Sequence, residues 1–154
     1  MSWWFTVSRP TYKDVVITVS GSRVEPSKPM KMVIKSGSFE IVTDKLGGEA
    51  PSPIEYVLAA LAGCFNIVGD IVAREMGISI DDLKIEVSGV FNASKLMTGA
   101  GERAGYKEIS VKVAVKSSAD AETLRRWLET VRERCPVEDN LANQTPVRAQ
   151  VEKL

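Results

Sequence analysis

Of the residues in this 154-residue chain, the two cysteines, Cys64 and Cys135, have the most chemistry to offer. The chain contains no histidine. That removes Ser-His-Asp and Cys-His catalysis, together with the commonest transition-metal ligand. Two cysteines without histidine make a poor zinc set, so no metal and no cofactor are expected. What remains is thiol chemistry. On one reading both cysteines are inert small hydrophobes, since both fall on apolar faces. On the other, Cys64 attacks a peroxide oxygen as thiolate and becomes a sulfenate. Cys135 then condenses with it to a disulfide, and a reductant restores both thiols by exchange. Burial raises a thiol's pKa, so a thiolate at Cys64 needs a nearby cation. Arg23, following Gly21-Ser22, is the first candidate, with Lys45 and Arg134 as alternatives. Glu55 is a poor helper: nine residues before Cys64 at about 100° per residue, it faces the opposite side of a helix.

Cys64 lies in the stretch from Ser52 to Gly77 that organises the rest of the chain. Ser52 suits the N-cap, Pro53 the first helical position, and Glu55 stands three residues after the cap. Gly77 is a fitting stop. The spacing predicts one helix from Pro53 to Met76, apolar on nearly every face and therefore buried. It is long enough to cross a membrane, but Glu55, Asn66 and Asp70 interrupt it, and no membrane is expected. Before it, residues 3–7 and 15–19 alternate like strands, Gly21-Ser22 reads as a turn, and Met30, Met32 and Ile34 alternate again. Ser36-Gly37-Ser38 reads as a hairpin turn into Phe39 and Ile41.

After the helix come a strand through Leu83, Ile85 and Val87, a mobile loop over 92–105, and a strand from Ile109 to Val115. A second helix, capped by Ser118, carries Leu124, Trp127, Leu128 and Val131 on one stripe and runs to about Arg134. Pro136 disfavours helical geometry at Cys135, so that thiol sits at the helix end. A short turn and a last strand through Val147, Ala149 and Val151 complete an α+β chain with mainly antiparallel pairing, read as a single domain over residues 1–154. One helix this greasy is hard to cover with a half-sheet and one other helix, so a homodimer is expected. The tryptophans Trp3, Trp4 and Trp127 read as packing.

Lysine plus arginine and aspartate plus glutamate both total 20, which gives no basic surface for nucleic acid. The start Met1-Ser2-Trp3-Trp4-Phe5 lacks a charged region before an apolar one, so a reducing, cytoplasmic location is expected.

Gly47-Gly48-Glu49, Pro51-Ser52-Pro53-Ile54-Glu55-Tyr56, Leu58 to Cys64, and Arg134-Cys135-Pro136-Val137 together resemble the OsmC/Ohr family, the osmotically induced and organic-hydroperoxide-resistance proteins. The resemblance implies an intertwined α+β homodimer with a long central helix and two active sites at the subunit interface. It implies metal-free, thiol-dependent reduction of organic hydroperoxides to alcohols, with a dithiol as reductant. Cys64 matches the attacking cysteine, Cys135 the resolving one, and Arg23 the arginine that activates the thiolate. In the hydroperoxide branch a glutamate directly follows the helix proline; here that position is Ile54, and Glu55 comes one residue later, as in the OsmC-like branch. The departure keeps a second possibility open, a protein of the same fold that binds a lipid-like or sulfur-containing small molecule.

Overall fold

A computed structural model describes residues 12–154. The strand expected over residues 3–7, and Trp3 and Trp4, lie outside the described residues. The chain forms two compact units, divided between Ser52 and Pro53.

The N-terminal unit is a three-stranded antiparallel meander of β1 (Ser20–Arg23), β2 (Met32–Ser36) and β3 (Phe39–Thr43), in the order β1-β2-β3. The hairpin turn is where the sequence puts it: Ser36 pairs with Phe39 across Gly37-Ser38. Gly37 takes φ +57°, a conformation that costs glycine nothing. Gly21-Ser22 is not a turn but the middle of β1, opposite Ile34 and Val33. The reversal comes later, where the Lys28 and Lys31 amides bond back to the Glu25 and Lys28 carbonyls. Residues 15–19 alternate in sequence yet form no strand. Val15, Val16 and Ile17 are exposed, with no ladder partner among the described residues.

The C-terminal unit begins with α1 (Pro53–Met76) and continues through β4 (Asp82–Val90), α2 (Ser94–Thr98), β5 (Glu108–Lys116), α3 (Ala121–Arg134) and α4 (Pro136–Ala142). Gly77 ends α1 as expected. It takes φ +67°, its N–H bonds the Arg74 carbonyl, and the Ile78 N–H reaches back to Ala73, a Schellman closure. β4 and β5 pair antiparallel with a strict inward-outward alternation, Leu83 opposite Val115, Ile85 opposite Val113 and Val87 opposite Val111. Their apolar faces pack, with α3, onto a core of Leu61, Phe65, Val68, Val72, Ala73, Trp127, Val131 and Cys135.

In this C-terminal unit four expectations need correction. The span 92–105 is not all loop. Its residues Ser94–Thr98 form α2, with Asn92 Oδ1 accepting from the Ser94 N–H and Gly99 closing the helix at φ +74°. Ser118 does not cap α3; Asp120 does, accepting from the Thr123 N–H at 2.7 Å, because a carboxylate two residues nearer fits the first free amides. The turn after Cys135 is instead the helix α4, which Pro136 starts at the position where a missing N–H does no harm. No strand forms through residues 147–151, and Val147 and Val151 lie in solvent.

The expectation that α1 is buried all round holds for one side. Leu61, Phe65, Val68, Gly69, Val72 and Ala73 are buried, while Ala60, Gly63, Ile67 and Ile71 form an exposed ridge along another face. By length and composition α1 could span a membrane. Its packing against α3 and β4 makes it the core helix of a soluble fold. The crossing with α3 is set by Gly69, whose missing side chain admits the Trp127 ring; a Cβ there would lie 2.9 Å from Trp127 Cζ2. Trp127 Nε1 donates to the Gly69 carbonyl at 2.9 Å, so the buried indole keeps its hydrogen bond.

Candidate functional site

Cys64 lies mid-way along α1, half-buried; Cys135 is fully buried at the break between α3 and α4. The α1–α3 crossing brings them together. Both are free thiols, and the Cys135 S–H donates to Cys64 Sγ across 2.8 Å. The half-buried sulfur accepts and the fully buried sulfur donates.

The backbone at the break explains how Cys135 gets there. Its φ of −77° and ψ of 111° are extended, as the residue before a proline prefers. The residue therefore closes α3, its N–H on the Arg132 carbonyl, and also caps α4, its sulfur accepting from the Glu138 N–H at 3.4 Å. Burial pushes the Cys135 thiol from its ordinary 9.0 up to about 11. The hydrogen bond it gives to Cys64 adds to the rise, and the Glu138 N–H works against it.

Two ion pairs bracket the thiols. Arg134 grips Glu75 in the last turn of α1 through both terminal nitrogens, which holds the Glu75 carboxyl below its usual range. Arg132 places Nε and Nη2 on one oxygen of Glu138, at 2.9 and 2.8 Å. The other oxygen, Oε2, is buried and finds no hydrogen-bond partner among the described residues. Neither Arg132 nor Glu138 is among the site residues read from the sequence. The signal was present, since Arg132 and Glu138 stand three residues either side of Cys135, and Glu138 is at the third helical position, where a capping-box carboxylate belongs.

A cavity of about 800 Å³ lies between α1, β5 and the α3–α4 break; neither Cys64 nor Cys135 lines it. Ile54, Val57, Leu61 and Phe65 of α1 line one side, the last two flanking Cys64 in sequence, and Ile109, Val111 and Val113 of β5 line another. Arg132 and Glu138 also line it, and Arg103, Lys107 and Glu108 supply further charges. Tyr106 closes the end near the start of α1. Its hydroxyl donates to the Ile54 carbonyl at 2.6 Å, and desolvation, then the Glu55 charge, push its pKa up. Gly89 makes room for that ring; a Cβ there would meet it at 2.5 Å.

Arg23 ends β1 in the N-terminal unit, opposite Met32, and is exposed. Lys45 lies just after β3 and is also exposed. Arg134, the third candidate cation, is engaged by Glu75. No cluster of histidine, cysteine, aspartate and glutamate suited to a metal ion occurs among the described residues.

A family model for OsmC-like proteins matches residues 46–150. The chain belongs to the OsmC-like family. Among solved structures, the OsmC-like protein of Mycoplasma pneumoniae shares the fold with a TM-score of 0.73 and 21% identity, over 86% of this chain and 91% of that one. An organic hydroperoxide resistance protein from Elizabethkingia anophelis, crystallised with thiocyanate bound, matches at TM-score 0.65 and 15% identity, over 87% and 93%. The organic hydroperoxide resistance protein OhrB of Bacillus subtilis matches at 0.54 and 22%, over 84% and 93%. At such identities the likeness is one of fold. No curated protein matches the sequence.

Proposed function

We propose that this protein is a peroxiredoxin-like thiol peroxidase that reduces organic hydroperoxides to alcohols. The observation that carries the reading is the pair of free sulfurs 2.8 Å apart, one half-exposed and one buried. Cys64, as thiolate, attacks the terminal peroxide oxygen. An S–O bond forms, the O–O bond breaks, and the departing alkoxide takes a proton to become the alcohol. Cys135 then attacks the Cys64 sulfenate, giving a disulfide and water. A dithiol reductant reopens the disulfide by two exchanges and leaves as its own cyclic disulfide. The largely aliphatic cavity, lined by Leu61 and Phe65 close to Cys64 in sequence, favours an apolar hydroperoxide. The resemblance assigns Arg23 as the cation serving Cys64.

The same reading makes residues 1–154 one OsmC-like domain acting as a cytoplasmic homodimer. One observation supports the single domain and another the dimer: the family match runs across the boundary between the two units, and α1 carries an exposed apolar ridge.

The test is a thiol count. Reduced protein is mixed with one equivalent of tert-butyl hydroperoxide, and free thiols are titrated. Loss of both thiols per chain, abolished by Cys64→Ser, is the expected result, with multiple turnovers once dithiothreitol is added. Unchanged thiols would refute the peroxidase reading. They would favour a small-molecule binding protein, for which Ile54, an aliphatic side chain lining the cavity where the hydroperoxide branch carries glutamate, is the specific observation.

A further inference from the structure

The disulfide-forming step needs the Cys135 proton to leave, and this chain contains no histidine to take it. Of the carboxylates next to Cys135 in sequence, those of Glu133, Glu138 and Asp139, only that of Glu138 belongs to a residue that is not exposed. Glu138 is joined to the sulfur through its own backbone, whose N–H donates to Cys135 Sγ at 3.4 Å. Its side chain folds back over the α3–α4 break rather than out to solvent, pinned by two Arg132 bonds to Oε1. That leaves Oε2 buried with an unfilled acceptor, on a residue that also lines the cavity. A buried carboxylate oxygen without a partner is costly and calls for an explanation. The third position of a helix is also the one from which a side chain reaches back to the capping residue. A thiol raised to about 11 is almost wholly protonated at neutral pH, so unassisted closure of the disulfide would be slow.

We propose that Glu138 receives the Cys135 proton as the Cys64–Cys135 disulfide closes, with Arg132 as the positioning residue that holds its carboxylate in place. The inference rests on the redox reading of the two thiols. When Cys64 carries a sulfenate, Cys135 Sγ attacks Cys64 Sγ. The S–S bond forms, the S–O bond breaks, and the proton passes through Glu138 to the departing hydroxide, giving water. When Cys64 carries a mixed disulfide with an aromatic thiol, the same attack expels the aromatic thiolate, and Glu138 releases the proton to solvent. The charged and titratable groups around this centre are Cys64 and Glu75 on α1, Arg132 and Arg134 on α3, Asp139 on α4, and Arg103, Lys107 and Glu108 across the cavity.

The experiment measures closure of the disulfide by stopped flow in wild type, Glu138→Gln, Glu138→Asp and Arg132→Met. Each is started in two ways: with tert-butyl hydroperoxide and with 5,5′-dithiobis(2-nitrobenzoic acid). The second oxidant needs no peroxidase activity and reports closure as release of the second aromatic thiolate. Glu138→Gln keeps an oxygen for Arg132 and is expected to slow closure about 100-fold with either oxidant, the lower end for a general base. The first attack on Cys64 is read in the same traces, so that closure is timed from the oxidised Cys64 and not from oxidant binding. The rate of closure in Glu138→Gln should climb about tenfold per pH unit from 7 to 10, approaching wild type at the top. Glu138→Asp should recover part of the loss, and Arg132→Met should fall between Gln and wild type. Closure in Glu138→Gln at the wild-type rate, or a uniform loss at every pH, would overturn the assignment. Inertness to hydroperoxide with Glu138-dependent closure from the aromatic disulfide would sink the peroxidase reading and leave the assignment standing.

Discussion

The thiol pair is asymmetric, and the asymmetry can be measured without any substrate. Only the thiolate is alkylated at an appreciable rate. At pH 8 a thiol with the ordinary value of 9.0 is about one-tenth ionised, and one at about 11 is about one-thousandth ionised. Cys135 should therefore react with iodoacetamide roughly 100-fold more slowly than an unstructured cysteine, before any steric protection is added. Cys64→Ser isolates it, since serine retains an oxygen to accept the Cys135 S–H; burial, the larger cause of the shift, is untouched. Cys135→Ser isolates Cys64. Rates read by intact mass from pH 7 to 11 should show Cys64 modified first. Cys135 should rise about tenfold per unit through pH 9 and level off only near 11, with the contrast lost in 8 M urea. The same shift has a sign for stability. The neutral thiol is favoured in the fold, so the unfolded chain ionises first. Stability is unaffected below about 9 and declines as pH climbs from there toward 11. A folded Cys64→Ser protein whose remaining thiol alkylates at pH 8 as fast as a cysteine peptide would refute the argument from burial.

Gly69→Ala sets a Cβ 2.9 Å from a rigid, buried tryptophan ring, and is expected to cost about 1–3 kcal/mol by urea denaturation, with Trp127 fluorescence changed in the native state. A wild-type value would mean that the α1–α3 crossing is not fixed by this contact. Ile67→Asp with Ile71→Asp puts charge on the exposed α1 ridge; light scattering is expected to give wild type roughly twice the 16.8 kDa chain mass and the double variant one chain mass. A monomeric wild type would refute the proposed dimer.

Where one residue type decides a local conformation, the sequence is legible. Pro53 and Gly77 bracket α1 to the residue, and Gly37 marks the hairpin. The alternation from Ile109 to Val115 gives both β5 and its inward face. Where a choice between neighbours decides, legibility fails. Ser118 and Asp120 are both competent caps, and only the position of Thr123 separates them. In 92–105 three glycines outweigh any helical pattern, yet Asn92, Ser94 and Thr98 satisfy enough backbone locally to hold a single helical turn. Alternation at 15–19 and 147–151 says what a strand would bury, not whether a neighbouring strand exists. The site divides the same way. Both thiols stand out as types, and Pro136 locates one of them at a helix end. The partnership of Arg132 with Glu138 depends on the angle between α3 and α4, which no periodicity encodes.

That angle traces to the Cys135-Pro136 step. Proline supplies no N–H and pushes the preceding residue into extended geometry, so α3 has to stop at Arg134 and α4 begins at Pro136, with Cys135 alone between them. A break of this one residue makes Cys135 serve as the end of one helix and the cap of the next. Its sulfur must then face the first amides of α4, while the α1–α3 crossing at Gly69 and Trp127 keeps Cys64 within reach on the other side. With the sulfur held between an N–H and a second sulfur, residues three before and three after it come to the same side of the break, and that is where Arg132 meets Glu138. Burial of the thiol, its contact with Cys64 and the inward turn of the Glu138 carboxylate are therefore consequences of one backbone constraint. A chain that kept the cysteine but continued α3 through it would retain the apolar stripe and lose all three.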